Sequence, residues 1–168
     1  MKIIFEPKSY KIVKGTILLL AIVLMGYVAY AATTLSVNNS GSVVIANKSW
    51  QAVTFSPGAT GFPTSAAGCP TTGYSTTPTP ITFGGIPQGT PVTGAVCVQN
   101  VSTGGQSYTA STAASPAPVR PTGTTVTYSA DGGTATSGGI APSGISLLTI
   151  TVSAGQTVGP VTFTTTIA

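Results

Sequence analysis

The chain has 168 residues, 42% of them hydrophobic and 5% charged, with no histidine and a formal net charge of +4. Beyond residue 31 only Lys48, Arg120 and Asp131 carry charge, so the basic balance belongs to the first residues, and the rest has no cluster of Lys and Arg with which to bind nucleic acid or an anionic membrane. A single carboxylate, no imidazole and two cysteines in that stretch exclude a paired-carboxylate glycosidase, a hydroxyl nucleophile with a histidine base, and a zinc site; no catalytic residue, metal ligand or cofactor is assigned, and the chain is not expected to be an enzyme.

Lys2, Lys8, Lys11 and Lys14 precede a charge-free run from Thr16 to Ala32, TILLLAIVLMGYVAYAA, which closes on Ala29-Tyr30-Ala31. A basic stretch, an apolar stretch and small residues in that order predict an export signal over 1–31, cleaved between Ala31 and Ala32. The run is short for a membrane span and no basic cluster follows it, so contact with the membrane is expected only during export. The expected location is extracellular.

From Ala32 onward the chain contains 29 Thr and 16 Ser, interleaved with Val, Ile, Phe and Tyr. β-branched side chains fit a pleated surface, and Gly or Pro interrupts most windows long enough for a helix, so the body is predicted all-β. The segment ATTLSVNNSGSVVIAN, 32–47, alternates Leu35 and Val37, softens at Asn39-Ser40-Gly41 and resumes at Val43 and Ile45. It reads either as the first strand of the body or as a strand for a neighbour to use. Further strands are predicted at Trp50–Phe55, Ile81–Phe83 and Val92–Val101, separated by a Gly/Pro/Ser/Thr-rich loop over Ser56–Pro80.

Ser102 to Thr122 lacks alternation and is predicted to be a second long loop; so is APSGI near residue 142. In TTVTY, Val126 and Tyr128 share a face, and Asp131 in SADGGT reads as a turn residue. ISLLTITV changes phase between Leu147 and Leu148, predicting a bulge or a strand buried on both faces. Ser153-Ala154-Gly155-Gln156 is predicted to turn this strand back as a hairpin onto VTFTTTI, where Val161, Phe163, Thr165 and Ile167 share a face, with Gly155 supplying any positive φ. Short strands with polar turns and no crossover helix predict an antiparallel β-sandwich, jelly-roll-like, over 48–168.

Cys69 and Cys97 form an even pair in an exported chain and predict a disulfide that ties the 56–80 loop to a strand, on the side away from Val96 and Val98. Asn38, Asn47 and Asn100 each open an N-x-[ST] sequon, so glycans are expected there. Trp50, Tyr74, Tyr108 and Tyr128 are the aromatics available to a sugar-binding platform, although they are scattered in the sequence.

The A-Y-A signal end at Ala29–Ala31, the extended strand LSV…SVVI after it, and the Thr-rich, charge-poor β body together resemble the subunits of archaeal bundling pili and threads, which look related to bacterial biofilm-matrix fibre subunits. The resemblance implies a sandwich that homopolymerises by donating residues 32–47 to the next subunit, with Leu35, Val37, Val43 and Ile45 as the anchoring side chains, no cofactor, and copies of itself as the partner in adhesion or biofilm cohesion. Lys14-Gly15 before Thr16 is also similar to the processing site of archaeal type IV pilins, which would retain the apolar run as a helix. A secreted carbohydrate-binding or adhesive module is the alternative of a different class.

Overall fold

The computed structural model describes residues 39–47, 49–113, 118–131, 137–155 and 160–168. The predicted signal and its expected cleavage point at Ala31 and Ala32, the expected anchors Leu35 and Val37, and Asn38 all lie outside the described residues. What is described is all-β, in two sheets packed as a sandwich, and belongs to one compact unit spanning Ser36–Ala168.

The strands are β1 (Ser40–Ile45), β2 (Trp50–Phe55), β3 (Ile81–Thr82), β4 (Val92–Asn100), β5 (Gln106–Thr112), β6 (Thr125–Ala130), β7 (Ser137–Ile140), β8 (Ile145–Ser153) and β9 (Thr162–Ile167). One sheet has the order β3-β1-β9-β5-β7 and the other β2-β4-β8-β6. Among the described strands every ladder is antiparallel except β1 with β9, which run parallel with Ser40 opposite Thr162 and Ile45 opposite Ile167. The expectation of a purely antiparallel sandwich is corrected at that one ladder.

Alternation sorts the side chains. Trp50, Val96, Val98, Tyr108, Leu148, Ile150, Val152, Phe163 and Ile167 fill the space between the sheets, all 5% exposed or less. At about 1.5–3 kcal/mol for each fully buried large apolar side chain, this layer is the main favourable term of the fold. A second, smaller core lies on the other side of the β2-β4-β8-β6 sheet, where Cys69, Ala95, Cys97 and Leu147 are buried under Phe62, Ala66 and Tyr74 of the 56–80 loop.

This second core explains the phase change in β8. Leu147 and Leu148 are both buried, one in each core, and β8 pairs in unbroken register with β4 and β6. The strand is therefore buried on both faces and has no bulge. Because both of its edges are taken, β9 cannot pair with it, and the predicted C-terminal hairpin does not form: β8 and β9 lie in different sheets. Gly155 is not among the residues with positive φ; a Cβ there would collide with the backbone of Thr122 and Gly123, so glycine is required by close approach.

β5 falls in a region predicted as a loop, and β7 in a stretch for which no element is predicted. In β5 only Tyr108 and Ala110 are buried, too few to register as alternation, and β7 is Ser-Gly-Gly-Ile. β1, which falls within segment 32–47, is a strand of this sandwich.

Candidate functional site

β1 sits inside its sheet although it is the first strand, and its seat is built from distant parts of the chain. The parallel ladder to β9 runs from Ser40 N–H, donating to the Val161 carbonyl at 3.0 Å, to Ala46 N–H, donating to the Ile167 carbonyl at 2.9 Å. On the outer surface Ser42 Oγ and Thr164 Oγ1 lie 2.9 Å apart. On the other side β3 covers only Ser40 and Gly41, because Pro80, which has no N–H, ends it.

Asn39, just ahead of β1, is 3% exposed and closes three gaps at once. Its Oδ1 accepts from Val161 N–H at 2.8 Å, its Nδ2 donates to the Gly84 carbonyl at 2.6 Å, and its own carbonyl accepts from Phe83 N–H at 2.8 Å. Two residues on, Gly41 lies against the Phe163 ring, and a Cβ at Gly41 would stand 2.7 Å from Cζ. Val43 is buried at 5% and Ile45 packs against the same core, while Val44 points outward, 47% exposed. After β1 the chain turns within Ala46–Ser49, where Ser49 N–H donates to Asn47 Oδ1 at 3.0 Å.

The anchors named from sequence thus divide: Val43 and Ile45 are core-facing residues of β1, and in the isolated chain the core they meet is their own. The segment 40–45 completes the sandwich in cis, as a first strand would. Asn39 and Gly41, read from sequence only as a soft spot, are the residues that fit the strand to its seat. The Asn-x-Gly spacing two positions ahead of Val43 was the available signal.

Cys69 and Cys97 are joined, with Cα atoms 5.9 Å apart, and the bridge lies in the smaller core away from Val96 and Val98, as expected. The sequons differ sharply. Asn47 is exposed in the turn after β1. Asn100 is fully buried: Nδ2 donates to the carbonyls of Gly104 at 2.8 Å, Ile140 at 3.0 Å and Ala141 at 3.3 Å, and Oδ1 accepts from Ser102 N–H and Oγ. A glycan replaces one of the two Nδ2 hydrogens and needs space that the packed sandwich does not contain, so the expectation at Asn100 is corrected.

The four aromatics do not converge. Trp50 and Tyr108 meet edge to face inside the core at 5.8 Å; Tyr74 donates to the Pro70 carbonyl under the loop; the Tyr128 hydroxyl bridges Thr112 and Thr165. A groove of about 350 Å³ does lie over β1 and β9, lined by Ser40, Ser42, Pro80, Val119, Thr162, Phe163 and Thr164, but it presents no charge. Asp131 is held at the end of β6 with φ 51°, in keeping with a turn residue, and its carboxylate accepts from Ser146 Oγ and Leu147 N–H. Ser146 is 1% exposed while Asp131 is exposed, so the carboxylate serves to cap a buried hydroxyl and the Leu147 N–H. Among the described residues no group of His, Cys, Asp and Glu could hold a metal ion.

In comparisons with known proteins, the chain matches no family model, no curated protein and no solved structure.

Proposed function

We propose that the protein is the structural subunit of an extracellular filament, and that segment 32–47 of one copy fills, in the next, the seat that β1 fills in the isolated chain. The observation that carries this reading is the position of β1. It lies between β3 and β9 in its sheet, yet β2 of the facing sheet begins only five residues after it, at Trp50. Every bond that holds it, from the β9 ladder to the Asn39 contacts, can be made equally by the same strand of another copy. An emptied seat would expose the β9 edge and the Phe163 ring, which favours refilling. With three charged residues beyond residue 31, copies do not repel one another. The filament serves adhesion or cohesion between cells in this reading, and the partner is the chain itself.

The test uses the closest outward pair of the ladder. Ser42→Cys with Thr164→Cys, oxidised in assembled material and run without reductant, gives a ladder of covalent oligomers if β1 is exchanged. Exclusive formation of internally bridged monomers sinks the proposal. Sequencing the mature N-terminus separates it from the pilin reading: Ala32 supports strand exchange and Thr16 supports a retained helix.

A further inference from the structure

We propose that the β1 seat recognises its occupant through a two-position key, Asn39 and Gly41, so that the strand it takes from a second copy enters in a single register. This rests on the exchange reading for the source of the strand, while the register itself is a property of the seat. The seat offers two backbone groups, the buried Val161 N–H and the half-buried Gly84 carbonyl, 2.8 and 2.6 Å from the Asn39 amide. Only a side chain that both accepts and donates at that depth satisfies them, and Asn does so from one planar group. At the next inward position the seat offers the face of Phe163, where a Cβ would stand 2.7 Å from Cζ. Glycine alone fits there without moving the ring.

Each possible slip violates the key. A shift by one residue turns Ser40 and Ser42 inward and Val43 outward. A shift by two in one direction puts Gly41 in the amide pocket and Val43 against the ring; in the other it puts Val37 in the pocket and Asn39 against the ring. The apolar positions alone would not forbid the two-residue slips, since Val37, Val43 and Ile45 are interchangeable in kind. Asn-x-Gly occurs once in the chain, at Asn39-Ser40-Gly41, so no other segment of this protein can fill the seat. The partner is therefore a second copy of this N-terminal strand, not any extended apolar peptide.

Cysteine pairs read the register directly in the full-length protein. Directly opposed residues lie within disulfide reach, whereas those offset by two positions are separated by a further two rises of about 3.3 Å along the strand. With Asn39 and Gly41 in place, Ser42→Cys with Thr164→Cys should oxidise, and the slipped pairs, Ser40→Cys or Val44→Cys with Thr164→Cys, should do so on the order of tenfold less. Introducing Asn39→Leu or Gly41→Ala should bring up the slipped pairs, and Phe163→Leu should restore single-register bridging to the Gly41→Ala chain by making room. Slipped pairs that oxidise as well as the aligned one with the key intact would overturn the proposal, and this arm leaves Asn39 and Gly41 untouched even if their variants fail to fold. So would a single register that survives Asn39→Leu combined with Gly41→Ala. The same gels report separately on exchange: aligned bridges found only within monomers reject the filament reading and leave the key standing.

Discussion

The Tyr108 hydroxyl lies 2.9 Å from Ser146 Oγ, and both are buried. Ser146 gives its hydrogen to the Asp131 carboxylate, so Tyr108 is the donor to Ser146, and a phenol in the core is tied through one hydroxyl to the surface end of β6. Burial, opposed by the Ser146 bond and reinforced by the Asp131 charge, pushes the phenol up to about 12 from its ordinary 10.0. The folded chain thus holds this proton more tightly than the unfolded one, and the corresponding stability is complete below pH 10 and is lost as pH rises toward 12. The loss should be on the order of 2 kcal/mol. Denaturant titrations between pH 9 and about 12 should show it, and Tyr108→Phe should flatten the slope in part, leaving the smaller contribution of Tyr74, which burial also raises. An unchanged slope in Tyr108→Phe would refute the assignment.

The Cys69–Cys97 bridge spans 28 positions and fastens the 56–80 loop over the smaller core. Replacing both cysteines by alanine should cost about 3–4 kcal/mol on the chain-entropy account. The damage should also be local, because the larger core between the sheets includes neither cysteine. Limited proteolysis is the readout: cleavage within 56–80 should speed up in the variant while the β4-β8-β6 strands stay protected. Uniform loss of protection would show that the two cores unfold together.

The strands legible in the sequence were those whose buried face carries large apolar residues, such as Trp50–Phe55, Val92–Asn100 and Val161–Ile167. β5 and β7 escaped because strands at or next to the edge of a sheet can be made largely of Ser, Thr and Gly. The C-terminal hairpin failed for a topological reason: two adjacent alternating segments predict a turn between them, but not whether they stay in one sheet. Of the site, Val43 and Ile45 were readable as apolar alternation. Asn39 was not, because its importance comes from its bonds to the N–H of Val161 and the carbonyl of Gly84, 122 and 45 positions away.

Glycan mapping should separate the sequons. Asn47 should be occupied in native material, and Asn100 unmodified because its amide is fully engaged inside the fold. Peptide masses after proteolysis decide it, and a glycan on Asn100 of folded protein would contradict the packing described. Asn100→Ala should also destabilise, on the order of 3 kcal/mol, since the Ile140 carbonyl and the Ser102 groups lose a buried partner; thermal melts would register it as a clear fall in Tm.

Removing β1 should leave a sandwich that can be repaired from outside. Deletion of residues 32–46 strips β9 of its parallel ladder, leaves the two-residue β3 without its β1 neighbour and uncovers Phe163. The β2-β4-β8-β6 sheet and the disulfide are untouched by the deletion, so the chain should still fold, with lower stability. Val43 and Ile45 together account for about 3–6 kcal/mol of apolar burial at most, since Ile45 is only partly covered. A free peptide of residues 39–47 must give up backbone freedom worth about 1–2 kcal/mol per residue, which apolar burial alone does not offset. Binding should therefore require the hydrogen-bond ladder as well, and should be lost in one step when a proline is placed at Ser42 or Val44, whose N–H groups point at β9 in the alternation set by Ser40 and Ala46. In thermal melts of the deleted chain, the native peptide should raise Tm in proportion to the logarithm of its concentration, and the proline peptides should not. Equal stabilisation by native and proline peptides would mean that the added strand binds outside the β1 seat.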